Sequence, residues 1–172
     1  MRGGRACNTI EAMNEKDLGK IVVRDMIEDR EAIYSVGADD TAREASEALK
    51  RLKLRATGVL EDGKLVGIVS HYDVSTKVVA KGMDPEKTKV REIMTPDVVK
   101  VNLRHSFTEC LELFERHDIS HLVIEDRKGN YYGVISNKHL QARLLEMLKS
   151  MLEIARQYAF GSYPKESEKQ GD

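Results

Sequence analysis

The sequence predicts a mixed α/β fold made of two tandem β-α-β-β-α repeats. Three observations predict it. The segment GIVSHYD at residues 67–73 returns 66 positions later as GVISNKH at residues 133–139. Each copy has a capping box that opens a helix-periodic segment, and each has a polar turn between two strand-like runs. One repeat alone is too small to bury its apolar faces well, so we expect the two to pack together.

Three further landmarks recur in the same order, and their offsets differ by only a few residues. Such ordered, nearly constant spacing indicates two copies of one unit with small changes in the loops. The recurring pairs are Val23-Arg24-Asp25 with Val90-Arg91-Glu92, Thr41-x-x-Glu44 with Ser106-x-x-Glu109, and Glu61-Asp62 with Glu125-Asp126.

The first copy begins with an apolar strand candidate at residues 33–36. Thr41-x-x-Glu44 then predicts a helix start, because its hydroxyl and carboxylate can satisfy free N–H groups. Residues 56–60 and 64–70 read as a hairpin around Asp62-Gly63, a strong turn signal. A second helix is predicted from His71 to about Ala80, ending at Gly82.

The second copy repeats this order, with a strand at 98–101 and a hairpin around residues 126–130. Its first helix carries an apolar face of Phe107, Cys110, Leu111 and Phe114. The predicted divisions are an N-terminal segment at 1–20, repeats at 21–82 and 90–148, a polar linker at 83–89, and a helix extension with a polar tail at 149–172.

The last helix is longer than its counterpart in the first copy. One face stays apolar out to about Phe160, and two interpretations are open, packing in the core or a dimer or partner surface. The residues of that face are Leu144, Leu148, Met151, Ala155 and Tyr158.

The composition excludes several classes of protein. A formal net charge of -1 over 172 residues gives no global field that would attract nucleic acid or an anionic membrane. No apolar run approaches the roughly 20 residues that span a bilayer, and residues 1–10 lack the apolar segment of a secretory signal. The two cysteines form no disulfide or metal pattern. We therefore expect a cytoplasmic protein without nucleic-acid or membrane partners.

The duplicated unit, with GIVS-x-x-D ending its third strand and REIMTPDVVKV opening the second copy, closely resembles the cystathionine-β-synthase (CBS) domain pair. The resemblance covers about residues 21–148. It implies two repeats packed by their sheets across a pseudo-twofold axis, with clefts that bind adenosine compounds such as AMP, ATP, NAD or S-adenosylmethionine. It further implies a regulatory sensor rather than an enzyme, with no required cofactor, a homodimeric assembly and an unidentified protein target.

The resemblance also implies one complete pocket, shared between the two copies. Ser70 and Asp73 match the ribose-binding Ser/Thr-x-x-Asp, Thr95 matches a threonine near the ligand, and Val99 matches a strand position beside the base. The segment lining base and phosphate corresponds to Ile119, Ser120 and His121, with His71 as a further donor.

The residue types suit that role. A carboxylate accepts hydrogen bonds from both ribose hydroxyls, and free N–H groups at a helix start favour a phosphate. However, Ser70-x-x-Asp73 is also a capping box, and capping and ligand binding are compatible. On this basis Asp73→Ala is expected to weaken adenosine binding and leave the fold intact.

The second cleft differs at one position. The resemblance builds it from Arg55, Thr57, Ser136 and His139, so a histidine replaces the aspartate. A neutral histidine offers one acceptor nitrogen where a carboxylate offers two oxygens. We therefore expect one strong adenosine site per chain and a weak or empty second cleft. Alternatively, His139 lies at an exposed helix start in a cleft that never bound a ligand.

Two rival functions are considered. The first is a structural dimerisation or adaptor protein with vestigial pockets. The second is a nucleotide-cleaving enzyme, which is disfavoured because no base, nucleophile or metal set accompanies Asp73. His117 and His121 are four residues apart but straddle a helix end and a strand start, so no metal site is predicted. Cys110 lies on an apolar helix face and is expected in the core.

Overall fold

Two three-stranded sheets organise the chain in the computed structural model, which describes residues 20–27 and 33–160. Most of the predicted N-terminal segment, and the tail after residue 160, lie outside the described residues. The first repeat contains α1 (Val23–Met26), β1 (Ser35–Gly37), α2 (Ala42–Arg51), β2 (Ala56–Glu61), β3 (Lys64–Ser70) and α3 (His71–Asp73), which continues as a π-helix over Val74–Val79. The second repeat contains α4 (Val90–Ile93), β4 (Lys100–Asn102), α5 (Phe107–His117), β5 (His121–Glu125), β6 (Tyr131–Ser136) and α6 (Asn137–Phe160).

The two sheets have the same topology and register. In the first, β1 runs parallel to β2 with Val36 opposite Val59, and β2 runs antiparallel to β3. In the second, β4 runs parallel to β5 with Val101 opposite Ile124, and β5 runs antiparallel to β6. Parallel neighbours need a crossover, which α2 and α5 supply. The duplicated β-α-β-β-α unit and the mixed α/β class are confirmed.

Both crossover helices start at the predicted capping boxes. The carboxylate Oε2 of Glu44 accepts the backbone N–H of Thr41 at 2.7 Å, and the Thr41 hydroxyl accepts the N–H of Glu44 at 3.2 Å. Ser106 and Glu109 make the same pair of bonds at 2.6 and 3.2 Å. In each box, the bond from the backbone N–H lowers the pKa of the glutamate, because it stabilises the ionised form.

The opening helical turns are exchanged between the two cores. Val23 of α1 is fully buried among Phe107, Phe114 and other residues of the second repeat, and its N–H donates to the carbonyl of His105 at 2.8 Å. Conversely, Val90 packs into the core of the first repeat. The core of each repeat therefore contains a short helix that precedes the first strand of the other repeat in the sequence. For this reason neither repeat is expected to fold well alone.

The core of each repeat is apolar. Leu49, Val59, Val69, Leu122 and Ile135 are at most 1% exposed. Cys110 is fully buried, as predicted, and burial raises the pKa of its thiol to about 12. A thiol in that state is not a nucleophile at neutral pH. Leu111, which the apolar periodicity placed on the same face, is instead 37% exposed.

Two strands and one helix differ from the sequence prediction. Strands β1 and β4 start at Ser35 and Lys100, two residues later than expected, and Ile33 is 53% exposed. The helix after β3 is α-helical for only one turn, and its π-helical part includes a bond from Ala80 N–H to the carbonyl of Ser75 at 2.9 Å. Local propensity does not distinguish these two helical forms, so the sequence pattern could not show the change.

The long last helix buries its predicted apolar face only in part. Leu148 of that face is 53% exposed, whereas Met151 and Ala155 are half-buried. Leu145 and Leu152, which lie beside that face, are 53% and 72% exposed. Part of α6 therefore presents leucine side chains at the surface. The side chain of Tyr158 lies outside the described residues. Although α6 spans 24 residues, none of the helices in the described ranges has the apolar length that a bilayer requires.

Candidate ligand-binding clefts

Ser70 and Asp73 lie where β3 ends and α3 begins, and they close a capping box. The Ser70 backbone N–H and hydroxyl both donate to Oδ2 of Asp73, at 2.9 and 2.6 Å. In return, the Asp73 N–H donates to the Ser70 hydroxyl at 3.2 Å. The capping interpretation is therefore confirmed, and the same bonds fix the orientation of the carboxylate.

The second oxygen of Asp73 is engaged by a lysine. Nζ of Lys77 lies 2.7 Å from Oδ1, and it also donates to the carbonyl of Ile93 at 2.6 Å. Asp73 is only 6% exposed, so this pairing compensates a buried charge. Each carboxylate oxygen has two lone pairs, so Oδ1 can still accept a ligand hydroxyl. Lys77 was not among the predicted site residues, although its spacing of four residues from Asp73 on one helix was a usable signal.

Thr95 forms an isolated antiparallel bridge with β3, the strand that ends at Ser70. Its N–H and carbonyl pair with the backbone of Ile68 at 2.8 and 2.9 Å. Gly67 makes this approach possible, because a Cβ there would lie 2.8 Å from the Thr95 carbonyl oxygen. Thr95 itself is exposed. The repeated glycine of the GIVS segment therefore has a packing reason that the sequence alone did not give.

Of the residues predicted for the first pocket, Val99 alone lines the smaller cavity, and His121 lines a different one. Val99 is half-buried and lines an open cavity of about 440 Å³, while Ser120 and His71 are exposed. Ile119 caps α5 by donating its N–H to the carbonyl of Phe114 at 3.2 Å. The other residues lining this cavity are Leu65, Pro96, Asp97, Val98, Lys100 and His117.

His121 lies in the wall of a second, larger cavity. Burial lowers the pKa of its imidazole, the charge of Arg55 lowers it further, and the charge of Asp73 opposes this. Among the described residues, Nε2 of His121 is one of two buried side-chain nitrogen or oxygen atoms without a hydrogen-bond partner. Such an atom typically costs about 1–3 kcal/mol. The charge of Asp73 therefore acts on the imidazole of His121, although the His121 ring lines the larger cavity.

The larger cavity has a volume of about 530 Å³, and it lies at the cleft that was expected to be weak or empty. All four residues that the resemblance assigned to this cleft line it: Arg55, Thr57, Ser136 and His139. Thr57 and Ser136 are buried, at 3% and 8% exposure. The structure thus brings this predicted set together more completely than the first one.

His139 takes the place of Asp73 in a second capping arrangement. Its Nδ1 accepts the Ser136 N–H at 3.0 Å and lies 2.9 Å from the Ser136 hydroxyl. Nδ1 therefore occupies the role of Oδ2 of Asp73. Because Nδ1 is an acceptor, the hydrogen of the neutral ring is on Nε2. His139 therefore keeps the capping bonds at the helix start, while it puts an imidazole where the first repeat has a carboxylate.

Tyr131 joins the two sheets at the edge of this cavity. Its hydroxyl donates to the carbonyl of Tyr34 and accepts the N–H of Gly58, both at 2.9 Å. In the second repeat the corresponding bond is direct, from Val123 N–H to the Val99 carbonyl at 3.0 Å. Tyr131 was not among the predicted site residues. An alignment of the two copies places it opposite Leu65, which would have marked it as a difference between the repeats.

Two consecutive matches to the family model for the CBS domain cover residues 23–80 and 90–146. The chain belongs to the CBS-domain family. CBS domains in general act as regulatory modules that bind adenosine-containing ligands. The tandem pair predicted from the repeat is confirmed by this match and by the fold.

Similar proteins share the module but differ in length. The Meiotically up-regulated gene 70 protein of Schizosaccharomyces pombe is 30% identical over 133 residues, which cover 76% of this chain and 18% of that protein. The inosine-5'-monophosphate dehydrogenase of Methanocaldococcus jannaschii is 28% identical over 135 residues, covering 78% and 24%. The chain therefore spans 18% and 24% of these two relatives.

A solved structure covers nearly the same module. It is a putative signal-transduction protein with CBS domains from Burkholderia ambifaria MC40-6, with a TM-score of 0.68 and 28% identity. The alignment covers 73% of this chain and 94% of that one. The likeness extends over the two repeats, and it agrees with the pseudo-symmetric sheets described above.

Proposed function

We propose that this CBS pair is a regulatory module that binds an adenosine-containing nucleotide at the Asp73 cleft, needs no cofactor and catalyses no reaction. The supporting observation is the buried, oriented carboxylate of Asp73. Ser70 fixes one oxygen, and the other faces a lysine that is partly exposed, with 35% of its side chain accessible. An ammonium has three donors and Lys77 uses two, so one remains for a ligand. A cytoplasmic location remains an expectation.

Ligand binding is tested by thermal unfolding with AMP, ATP, NAD and S-adenosylmethionine, each in a separate titration. A ligand present at 100 times its Kd stabilises the folded state by about 2.7 kcal/mol. For a chain of this size, that raises Tm by roughly 5–10 °C. We expect such a shift with at least one of the four, and a smaller one with its 2′,3′-dideoxy analogue, which lacks the ribose diol. No shift with any of them would favour the structural adaptor.

The adaptor candidate is favoured by one specific observation, the exposed apolar side chains on the helices that follow each hairpin. Tyr72 and Val79 are 75% and 71% exposed, and Leu145, Leu148 and Leu152 extend the same kind of surface along α6. Exposed apolar patches of this kind typically mark protein interfaces. We propose that they form a homodimer contact, which is compatible with ligand sensing, and that an unidentified target protein reads the ligand-dependent state.

Replacing Leu148 and Leu152 together by glutamate is expected to convert the dimer to a monomer at micromolar concentration. Two charges buried in an apolar contact carry a large desolvation cost. Light scattering coupled to size-exclusion chromatography measures the mass. The matched control places glutamate at Lys149 and Ser150, which are exposed on the same helix. A monomer mass for the wild type, or an unchanged dimer in the leucine variant, would contradict the assignment.

A further inference from the structure

Two side chains donate to a single backbone atom, the carbonyl oxygen of Tyr34, a residue that lines the larger cavity. The Tyr131 hydroxyl donates to this oxygen at 2.9 Å, and the hydroxyl of the buried Thr57 donates to it at 2.7 Å. A carbonyl oxygen has two lone pairs. Both are therefore in use, and the oxygen has no acceptor capacity left for a ligand.

The glycine at position 58 allows the tyrosine to enter. A Cβ at Gly58 would lie 2.5 Å from the ring of Tyr131, so a larger residue would exclude the ring from this place. The Gly58 N–H donates to the Tyr131 hydroxyl at 2.9 Å. The hydroxyl therefore bridges strand β2 and the Tyr34 carbonyl.

The smaller cavity shows what the same place looks like without this bridge. The equivalent carbonyl is that of Val99, and it accepts the Val123 N–H directly at 3.0 Å. Among the described residues this is its one donor, so one lone pair remains. The residues equivalent to Thr57, Gly58 and Tyr131 have no side-chain donor, and they are Leu122, Val123 and Leu65.

This difference matters for a base that carries an amino group. A buried amino group needs an acceptor, because a donor left unpaired away from water is costly. Val99, which the resemblance assigns to the Asp73 cleft, can supply that acceptor, whereas Tyr34 cannot. A site that leaves a polar group of the ligand unpaired discriminates against that ligand more strongly than apolar fit alone does.

We propose that Tyr131 and Thr57 determine which of the two clefts binds the adenine base, because together they occupy both lone pairs of the Tyr34 carbonyl. This rests on the proposed function, adenosine binding at the Asp73 cleft, and adds the residues that set its selectivity. The larger cavity then excludes adenosine for two separate reasons. It has no carboxylate for the ribose hydroxyls, since His139 stands there, and no acceptor for the amino group. An aspartate at position 139 alone is therefore insufficient to create a second site.

The test is isothermal titration calorimetry of the full chain with adenosine, with His139→Asp as the background for all further variants. Thr57→Val removes one hydroxyl donor with little change of shape, and Tyr131→Phe removes the other and keeps the ring. We expect about one adenosine per chain in the wild type and in His139→Asp. We expect about two when either Thr57→Val or Tyr131→Phe is added. Thr57→Ser keeps the hydroxyl and is the matched control, with about one adenosine expected.

Purine riboside, which lacks the amino group, shows whether the new site reads the base. At that site adenosine is expected to bind roughly three- to tenfold more tightly than purine riboside, the effect of one neutral hydrogen bond. A substitution that merely loosened the cavity would admit both nucleosides with equal affinity.

A second adenosine site in His139→Asp alone, or in its Thr57→Ser derivative, overturns the proposal. So does one adenosine per chain in both the Thr57→Val and the Tyr131→Phe derivatives, or equal affinity for the two nucleosides at the new site. Thermal unfolding monitors the fold, and if one derivative is unfolded the other decides, because each frees the same oxygen.

Failure of the proposed function is a different result, in which the wild type binds no adenosine or binds it equally well after Asp73→Asn. Even then, adenosine binding in His139→Asp with Thr57→Val, but not with Thr57→Ser, would support the role of the Tyr34 carbonyl. No binding in any variant would overturn both proposals.

Discussion

Asp73→Asn is expected to lower adenosine affinity roughly ten- to a hundredfold and the free energy of unfolding by about 1–3 kcal/mol. The affinity falls because a neutral amide replaces a charged acceptor for the ribose hydroxyls. Stability falls because Lys77 loses its anionic partner at 2.7 Å. Lys77 keeps partial access to water, which holds the loss below that of a fully buried ion pair. The fold is still expected to form, with lower stability.

The double variant Asp73→Asn with Lys77→Met distinguishes the two effects. Removing both charges leaves no uncompensated cation, so most of the lost stability should return while adenosine affinity stays low. Urea unfolding measures stability, and calorimetry with adenosine measures binding. An unchanged adenosine affinity in Asp73→Asn would remove this carboxylate from the site. An unchanged free energy of unfolding would show that the Lys77 contact has no net value.

The parts of the fold that local chemistry encodes were predictable. The two capping boxes, at Thr41 and Ser106, place helix starts to the residue, and the Asp62-Gly63 turn places a hairpin. The exchange of α1 and α4 between the cores was not predictable. It depends on contacts between segments far apart in the sequence, such as the bond from Val23 to His105, and such contacts leave no local periodicity.

The sequence predicted which residues line the second cleft, but it did not predict the shapes of the two cavities. Arg55, Ser136 and His139 were assigned together, and they line one cavity. The relative size of the two cavities was not predictable, since it depends on how side chains from both repeats fill the space. Tyr131 shows this most clearly. Tyr131 belongs to β6 of the second sheet, yet its hydroxyl makes hydrogen bonds with Gly58 and Tyr34 of the first repeat.

Gly58 is the position at which that arrangement can be tested with a large effect. A Cβ built on Gly58 would lie 2.5 Å from the ring of Tyr131, far inside contact distance. The absence of a side chain at Gly58 therefore creates the slot that the tyrosine ring occupies. At the equivalent place in the other sheet the corresponding residues are Val123 of the second repeat and Leu65 of the first, and there the Val123 N–H donates directly to the Val99 carbonyl.

Gly58→Val is expected to lower the free energy of unfolding by about 2–4 kcal/mol. Expulsion of the ring removes two hydrogen bonds, each typically worth about 0.5–1.5 kcal/mol. Crowding a packed position adds about 1–3 kcal/mol, and the better strand propensity of valine offsets up to about 1 kcal/mol.

Adding Tyr131→Leu to Gly58→Val gives positions 58 and 131 the residues found at the equivalent positions, Val123 and Leu65. This double variant is expected to recover at least half of the lost stability. With the ring absent, the N–H of residue 58 can donate directly to the Tyr34 carbonyl, as Val123 does to Val99. Tyr131→Leu alone removes the bridging hydroxyl and leaves the space beside Gly58 unfilled, so it should cost about 1–3 kcal/mol. Urea unfolding of the wild type, both single variants and the double variant closes the cycle. If the two single effects simply add, Gly58 and Tyr131 are not coupled, and the slot is not the reason for the glycine.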